Sequence, residues 1–278
     1  MTELTDRQRQ QVEATAKQIR KDVLRMVTEA SSGHPGGSLS IADLLALLYE
    51  VEMNVSPNQS KAPHRDRLVL SKGHAAPALY AMLSGKGFFP RQELWKLRKI
   101  DSMLQGHPDM KHTPGVDMTT GSLGQGFSAA CGMALASHID GDAFHVFAVI
   151  GDGELQEGQV WEAAMFAGHY RLHMLTVFVD NNGLQIDGNI TDVMSPLPIP
   201  DKFRAFNWHV IEVDGHNIDS LHIAIQQARK VKDKPTAIVM KTVKGKGVRE
   251  MENHAGWHGK APSAEQYTEF VAELEGEE

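Results

Sequence analysis

Two short polar clusters in this chain stand where apolar runs end. Gly151-Asp152-Gly153 closes the run 144–150, and Asp180-Asn181-Asn182 closes the run 174–179. Each run reads as a buried parallel strand, and the stretch 154–171 between them carries a helical pattern. Strand, glycine turn, helix and strand make one βαβ unit. Its two carboxyl ends lie side by side at the edge where open α/β sheets bind ligands. Asp152 and Asn182 should therefore meet. One carboxylate, one carboxamide oxygen and main-chain carbonyls suit a hard cation such as Mg²⁺ or Ca²⁺, with phosphate oxygens completing its shell. The glycines leave room for a diphosphate to approach the backbone.

Four histidines stand in Gly- or Pro-containing loops: His34 in HPGG, His74 in SKGH, His107 in QGHP and His258 in WHG. Imidazole titrates near neutral pH, so such a set could move protons on a hydroxylated carbonyl substrate. Lys72 and His74 fall at a strand-to-helix junction, a place that favours an anion. Gly121, Gly124 and Gly126 surround Leu123 just ahead of an Ala-rich helix. With so little bulk there, backbone groups are open to a flat heterocycle. Lys244 follows the last apolar run.

The elements that must position these residues alternate along the chain. Helical patterns cover 6–30, 40–49, 75–83, 91–100, 127–138, 217–231 and 263–274. Further strands are expected at 67–70, 207–213 and 235–243, with 194–200 as a proline-rich connector. This predicts an α/β chain with a doubly wound, mostly parallel sheet and helices on both faces. With 278 residues, 41% hydrophobic, the chain can bury a sizeable core. A net charge of −7 argues against nucleic acid as a partner. The single cysteine, Cys131, excludes an internal disulfide and fits a reducing compartment. The polar N-terminus and the lack of any run of membrane-spanning length predict a cytoplasmic protein that does not meet a membrane. The chain closes on an acidic tail, 273–278. No G-x-G-x-x-G follows the first strand, which speaks against a dinucleotide dehydrogenase.

Taken together, SSGHPGGSLS, SKGHAAPALYA, QGHPD, TTGSLGQG, GDGELQEGQVWEA and WHGK resemble the first domain of transketolases, over about 12–262. The GDG to NN interval likewise resembles the thiamine diphosphate motif. The resemblance implies a thiamine diphosphate-binding fold, with the metal held by Asp152, Asn182 and the main-chain oxygen of Leu184. His34 and His107 would face the C1–C2 hydroxyls of a ketose, with His258 on the substrate side and His74 on the diphosphate side. Gly121 and Leu123 would hold the aminopyrimidine. Gly153 would contact the diphosphate and Ile186 the thiazolium. Glu157 would meet its counterpart in a pyrimidine-binding domain across a subunit interface. Lys72 and Lys244 match lysines found near the cofactor in some members.

The same resemblance implies that 1–278 is a single diphosphate-binding domain. The pyrimidine-binding and C-terminal domains of a transketolase are absent from it. The expectation is the N-terminal subunit of a split transketolase, working with a C-terminal partner subunit on sugar phosphates as a complex of two copies of each. Two rival readings are a 1-deoxyxylulose-5-phosphate synthase-like enzyme and a non-catalytic subunit that only binds the cofactor.

Overall fold

A computed structural model describes residues 3–141 and 144–276. Glu277 and Glu278 of the acidic tail lie outside them. The strands are β1 (Arg67–Leu70), β2 (Val146–Gly151), β3 (Leu175–Asn181), β4 (Leu184–Gln185), β5 (Gly188–Asn189), β6 (His209–Asp214) and β7 (Thr236–Lys241). The helices are α1 (Asp6–Glu29), α2 (Pro35–Leu39), α3 (Ala42–Leu47), α4 (Ala76–Gly85), α5 (Gln125–Asp140), α6 (Gly158–His169), α7 (Ile190–Val193), α8 (Ile199–Ala205), α9 (Ile218–Ala228) and α10 (Ala264–Glu275). Five strands form one parallel sheet in the order β1-β2-β3-β7-β6, and β4 and β5 make a small antiparallel hairpin.

The apolar runs form central strands because both faces of the sheet are covered. Val146, Ala148 and Ile150 of β2, with Val177 and Val179 of β3, pack into one core with α5, α6 and α8. Phe147, Val149 and Phe178 point the other way, into a core with α1, α3, α4 and α9. The strand period of two thus serves two helix layers at once. Register pairs Gly151 with Asp180, and Asp180 with Met240, so the two polar clusters are neighbours at one edge. Among the described residues no helix is long and apolar enough to cross a membrane.

Several elements differ from the sequence expectation, each for a tertiary reason. The pattern at 91–100 is a 3₁₀ turn, Arg91–Lys96, because the Arg98 N–H leaves the helix to donate to the Leu104 carbonyl at 2.9 Å. The pattern at 154–171 begins as a 3₁₀ turn, Gly153–Gln156, and α6 starts only after an extended Glu157. The helix at 40–49 runs on into a π turn, Leu48–Glu52, closed by Met53 N–H on Leu48 O at 2.7 Å. The turn after His34 is itself the short helix α2. The connector 194–200 holds the first turn of α8, where Pro200 is tolerated because the first helical N–H groups need no intrahelical partner.

Candidate active site

The carboxyl edge of β2 and β3 holds the centre of the site. Asp152 is buried, and its Oδ1 accepts from Gly153 N at 2.8 Å. Its Oδ2 accepts from Gly183 N at 2.5 Å, so the carboxylate reaches the residue after Asn182. The Asn182 Oδ1 accepts from Leu184 N at 3.1 Å, and its Nδ2 donates to Asp180 Oδ2 at 3.0 Å. Asp152, Asn182 and Leu184 line one cavity of about 240 Å³. The convergence expected of the βαβ unit is present.

The donor set fits a hard divalent cation. Burial, then the neighbouring Asp180, pushes Asp152 up to about 7; two backbone N–H groups and the nearby Lys244 oppose the rise without cancelling it. The Leu184 carbonyl already faces a cation, since Lys244 Nζ donates to it at 3.2 Å. Burial and Lys72 push that ammonium down to about 8. Among the described residues no three His, Cys, Asp or Glu side chains converge as a metal site. A carboxylate, a carboxamide and a carbonyl are all oxygen donors, and an incoming diphosphate would supply the missing oxygens.

The four loop histidines form one cluster beside this edge. His34 lies 5.3 Å from His74, 5.4 Å from His258 and 6.4 Å from His107 between ring centroids. His74 stacks on His258 at 5.0 Å. Burial leads every shift: His34 falls to about 4, with Arg98 adding to the effect, and His258 to about 3, with Lys244 adding. His74 and His107 are lowered as well, by burial and then by Lys72 and Arg98 respectively. All four are therefore neutral at pH 7, able to accept a proton. Among the described residues, His258 Nδ1 is buried with no hydrogen-bond partner. A buried polar atom left unsatisfied costs stability unless a ligand meets it.

The glycine-rich loop before α5 lies against the same cavity. Gly121 has φ +143°, a backbone that favours glycine, and a Cβ there would stand 3.1 Å from the His107 ring, closer than ordinary contact. Leu123 lines the cavity, as do Gly153, Lys72, His74, Glu157, Lys244 and His258. Gly153 is needed for close approach of the chain itself, since an added Cβ would meet Gln185 Cβ at 2.9 Å. Gly151 has no such constraint. Ile186, at the cavity mouth on the β4–β5 turn, is 63% exposed. Glu157 is also exposed at the mouth. All fourteen candidate positions named from the sequence thus fall in or beside one site.

Three further residues belong to it. Asp180 is fully buried beneath Asn182; burial opposes its charge, but Lys72, Thr242 and Ser40 outweigh that and hold its carboxyl below the usual range. The Glu154 carboxylate accepts from Ser71 Oγ at 2.6 Å, Gly124 N at 2.8 Å and Gly151 N at 3.1 Å, so it ties three site loops together. Arg98 places a guanidinium nitrogen 3.5 Å from His34 Nδ1, from a backbone with φ +61°. Asp180 and Glu154 could have been suspected as acids inside apolar or glycine-rich runs. Arg98 gave no signal, lying in a stretch that reads as an ordinary helix end.

A family model described as transketolase, thiamine diphosphate binding domain, matches residues 11–274. The chain is 49% identical over 262 residues to a 6-deoxy-6-sulfo-D-fructose transketolase subunit from Clostridium sp. (strain MSTE9), covering 94% of this chain and 95% of that one. It is 39% identical over 263 residues to an apulose-4-phosphate transketolase subunit of Phocaeicola vulgatus, covering 95% and 93%. Transketolase from Leishmania mexicana superposes with a TM-score of 0.90 at 32% identity, over 95% of this chain and 41% of that one. The chain therefore spans less than half of the Leishmania transketolase but nearly all of each of the two bacterial subunits.

Proposed function

Since the chain belongs to the transketolase family, in its thiamine diphosphate-binding domain, we propose that it is the N-terminal subunit of a split, cytoplasmic transketolase. It would move a two-carbon ketol unit from a ketose to an aldose acceptor, and only together with a C-terminal subunit that carries the pyrimidine-binding domain. The observation that carries this reading is the meeting of Asp152, Asn182 and the Leu184 carbonyl beside four neutral imidazoles. Two relatives of similar length are named as transketolase subunits, which supports the split arrangement.

Bound thiamine diphosphate supplies the nucleophilic carbon that lets the ketose C2–C3 bond break and the two-carbon unit pass on. Asp152, Asn182 and the Leu184 oxygen would hold Mg²⁺ or Ca²⁺ against its diphosphate. Lys72 and Lys244 would set the positive potential around that group, with neutral His74 and Gly153 beside it. Gly121 and Leu123 would carry the aminopyrimidine, and Ile186 would offer apolar contact to the thiazolium.

His34, His107 and His258 would orient substrate hydroxyls and move their protons. Their lowered pKa values keep them in the accepting form at neutral pH. Burial, with Arg98 adding, keeps His34 in that form. Exposed Glu157 and Ile186 would be covered by the partner, in a complex of two copies of each chain.

A mixing assay tests this reading. The chain with thiamine diphosphate and Mg²⁺ should transfer no ketol unit alone, and should do so once the C-terminal subunit is added. Turnover by the isolated chain, or none with the partner, would refute it. Phosphorylated ketoses are the first donors to try. The 49% identity to a sulfofructose transketolase subunit favours testing a sulfonated ketose beside them.

A further inference from the structure

The cation site rests on a residue beneath it. Asp180 follows Phe178 by two positions on β3, so its fully buried side chain points to the same face of the sheet, at the floor of the cavity. A lone carboxylate there would be costly. Instead its oxygens accept from four donors brought by four segments. Oδ2 takes Lys72 Nζ at 2.5 Å, Ser40 Oγ at 2.7 Å and Asn182 Nδ2 at 3.0 Å. Oδ1 takes the Thr242 hydroxyl.

Two consequences follow for the cavity above. An acceptor beneath Asn182 can hold only its amide nitrogen, which turns the amide oxygen toward Leu184 and the cavity. Asp180 also cancels the charge of Lys72, which with Lys244 would otherwise present two ammonium groups to a divalent cation.

We propose that Asp180 is a positioning residue that sets the affinity of this site for its cation, by fixing the Asn182 carboxamide and balancing Lys72. The inference rests on the cofactor reading above and adds a buried residue at the floor of the cavity that acts through Asn182 and Lys72. The test is calorimetric binding of thiamine diphosphate to the full chain, once with Mg²⁺ and once in EDTA. Asp180→Asn removes the charge. It should weaken Mg²⁺-dependent binding by about tenfold, as loss of an outer-shell partner does. It should tighten binding in EDTA, because Lys72 is then uncompensated.

A merely structural role would weaken both, and that result overturns the inference. Asp180→Asn combined with Lys72→Met restores the charge balance and should bring Mg²⁺-dependent binding back; no recovery overturns it. Asp180→Ala also removes the acceptor for Asn182 and should bind Mg²⁺ more weakly than Asp180→Asn; equal binding removes the Asn182 half of the claim. Should Asp180→Asn fail to fold, Lys72→Met alone gives the mirror test: tighter with Mg²⁺, weaker in EDTA. A wild-type chain without Mg²⁺-dependent binding, both alone and with the C-terminal subunit added, overturns the cofactor reading and this inference with it. Normal wild-type binding with unchanged variants overturns the inference alone.

Discussion

Cofactor binding should exchange protons with solvent, and the sign of the exchange should reverse within the neutral range. Two groups facing the cavity titrate there. Asp152 is pushed up to about 7 by burial and Asp180, and Lys244 down to about 8 by burial and Lys72. A divalent cation on Asp152 drives its proton off, and a diphosphate beside Lys244 drives a proton on. At pH 7, Asp152 gives up about 0.5 proton while Lys244 takes up about 0.1, a net release of about 0.4. At pH 8 the roles exchange, and the net is an uptake of about 0.4. The crossing falls at about pH 7.5. The four imidazoles are all lowered from an ordinary value that already lies below this window, mainly by burial, so they stay in the neutral form across it.

Calorimetry of thiamine diphosphate with excess Mg²⁺, in two buffers of different ionisation heat, reads the proton count directly. Lys244→Arg stays charged throughout and should abolish the uptake at the alkaline end, leaving release alone. Asp152→Asn should leave uptake alone. A proton count of one sign across the whole range in the wild-type chain would refute the reasoning, as would variants that exchange protons like the wild type.

Asp152→Ala should remove Mg²⁺-dependent binding of thiamine diphosphate; unchanged affinity by calorimetry would make the metal assignment wrong. Glu154→Gln turns an amide donor toward one of the backbone N–H groups its carboxylate now accepts from, and should cost about 1–3 kcal/mol of stability in urea. A midpoint equal to wild type would show that the three loops do not depend on it. His145 is buried with its Nε2 3.2 Å from the Thr176 hydroxyl, and burial, with Arg229 adding, pushes it down to about 3. Below about pH 6.5 the unfolded chain takes a proton that the folded chain refuses, so stability present at neutral pH is lost toward about pH 3. The loss runs at about 1.4 kcal/mol per pH unit. His145→Gln should flatten the acid slope of the urea midpoint, and parallel slopes would exclude His145 as the linked group.

What the sequence revealed and what it hid divide along a physical line. The edge holding Asp152 and Asn182 was legible because parallel central strands are buried on both faces and so read as unbroken apolar runs. Where such a run stops at a polar residue, the carboxyl edge of the sheet is marked, and the pairing of β2 with β3 does the rest. The loop histidines were legible because each stands beside glycine or proline at a junction between elements, even where, as at Pro35-Gly36-Gly37, the next residues begin a short helix. Asp180 and Glu154 were not, because their roles exist only through donors from distant segments: Ser40, Lys72 and Thr242 for one, Ser71 and Gly124 for the other.

The same distant contacts explain the misread helix starts. Periodicity predicts a helix from 154, yet Glu154 is already committed to Gly124 and Gly151, and the chain cannot enter an α-helix until Gly158. Local pattern thus identifies the groups that face the ligand, while tertiary hydrogen bonds decide how firmly they are held. If that division is right, substitutions at the buried carboxylates should change affinity and stability without changing which ligand is bound, whereas substitutions at His34, His107 or His258 should change turnover with the cofactor still in place.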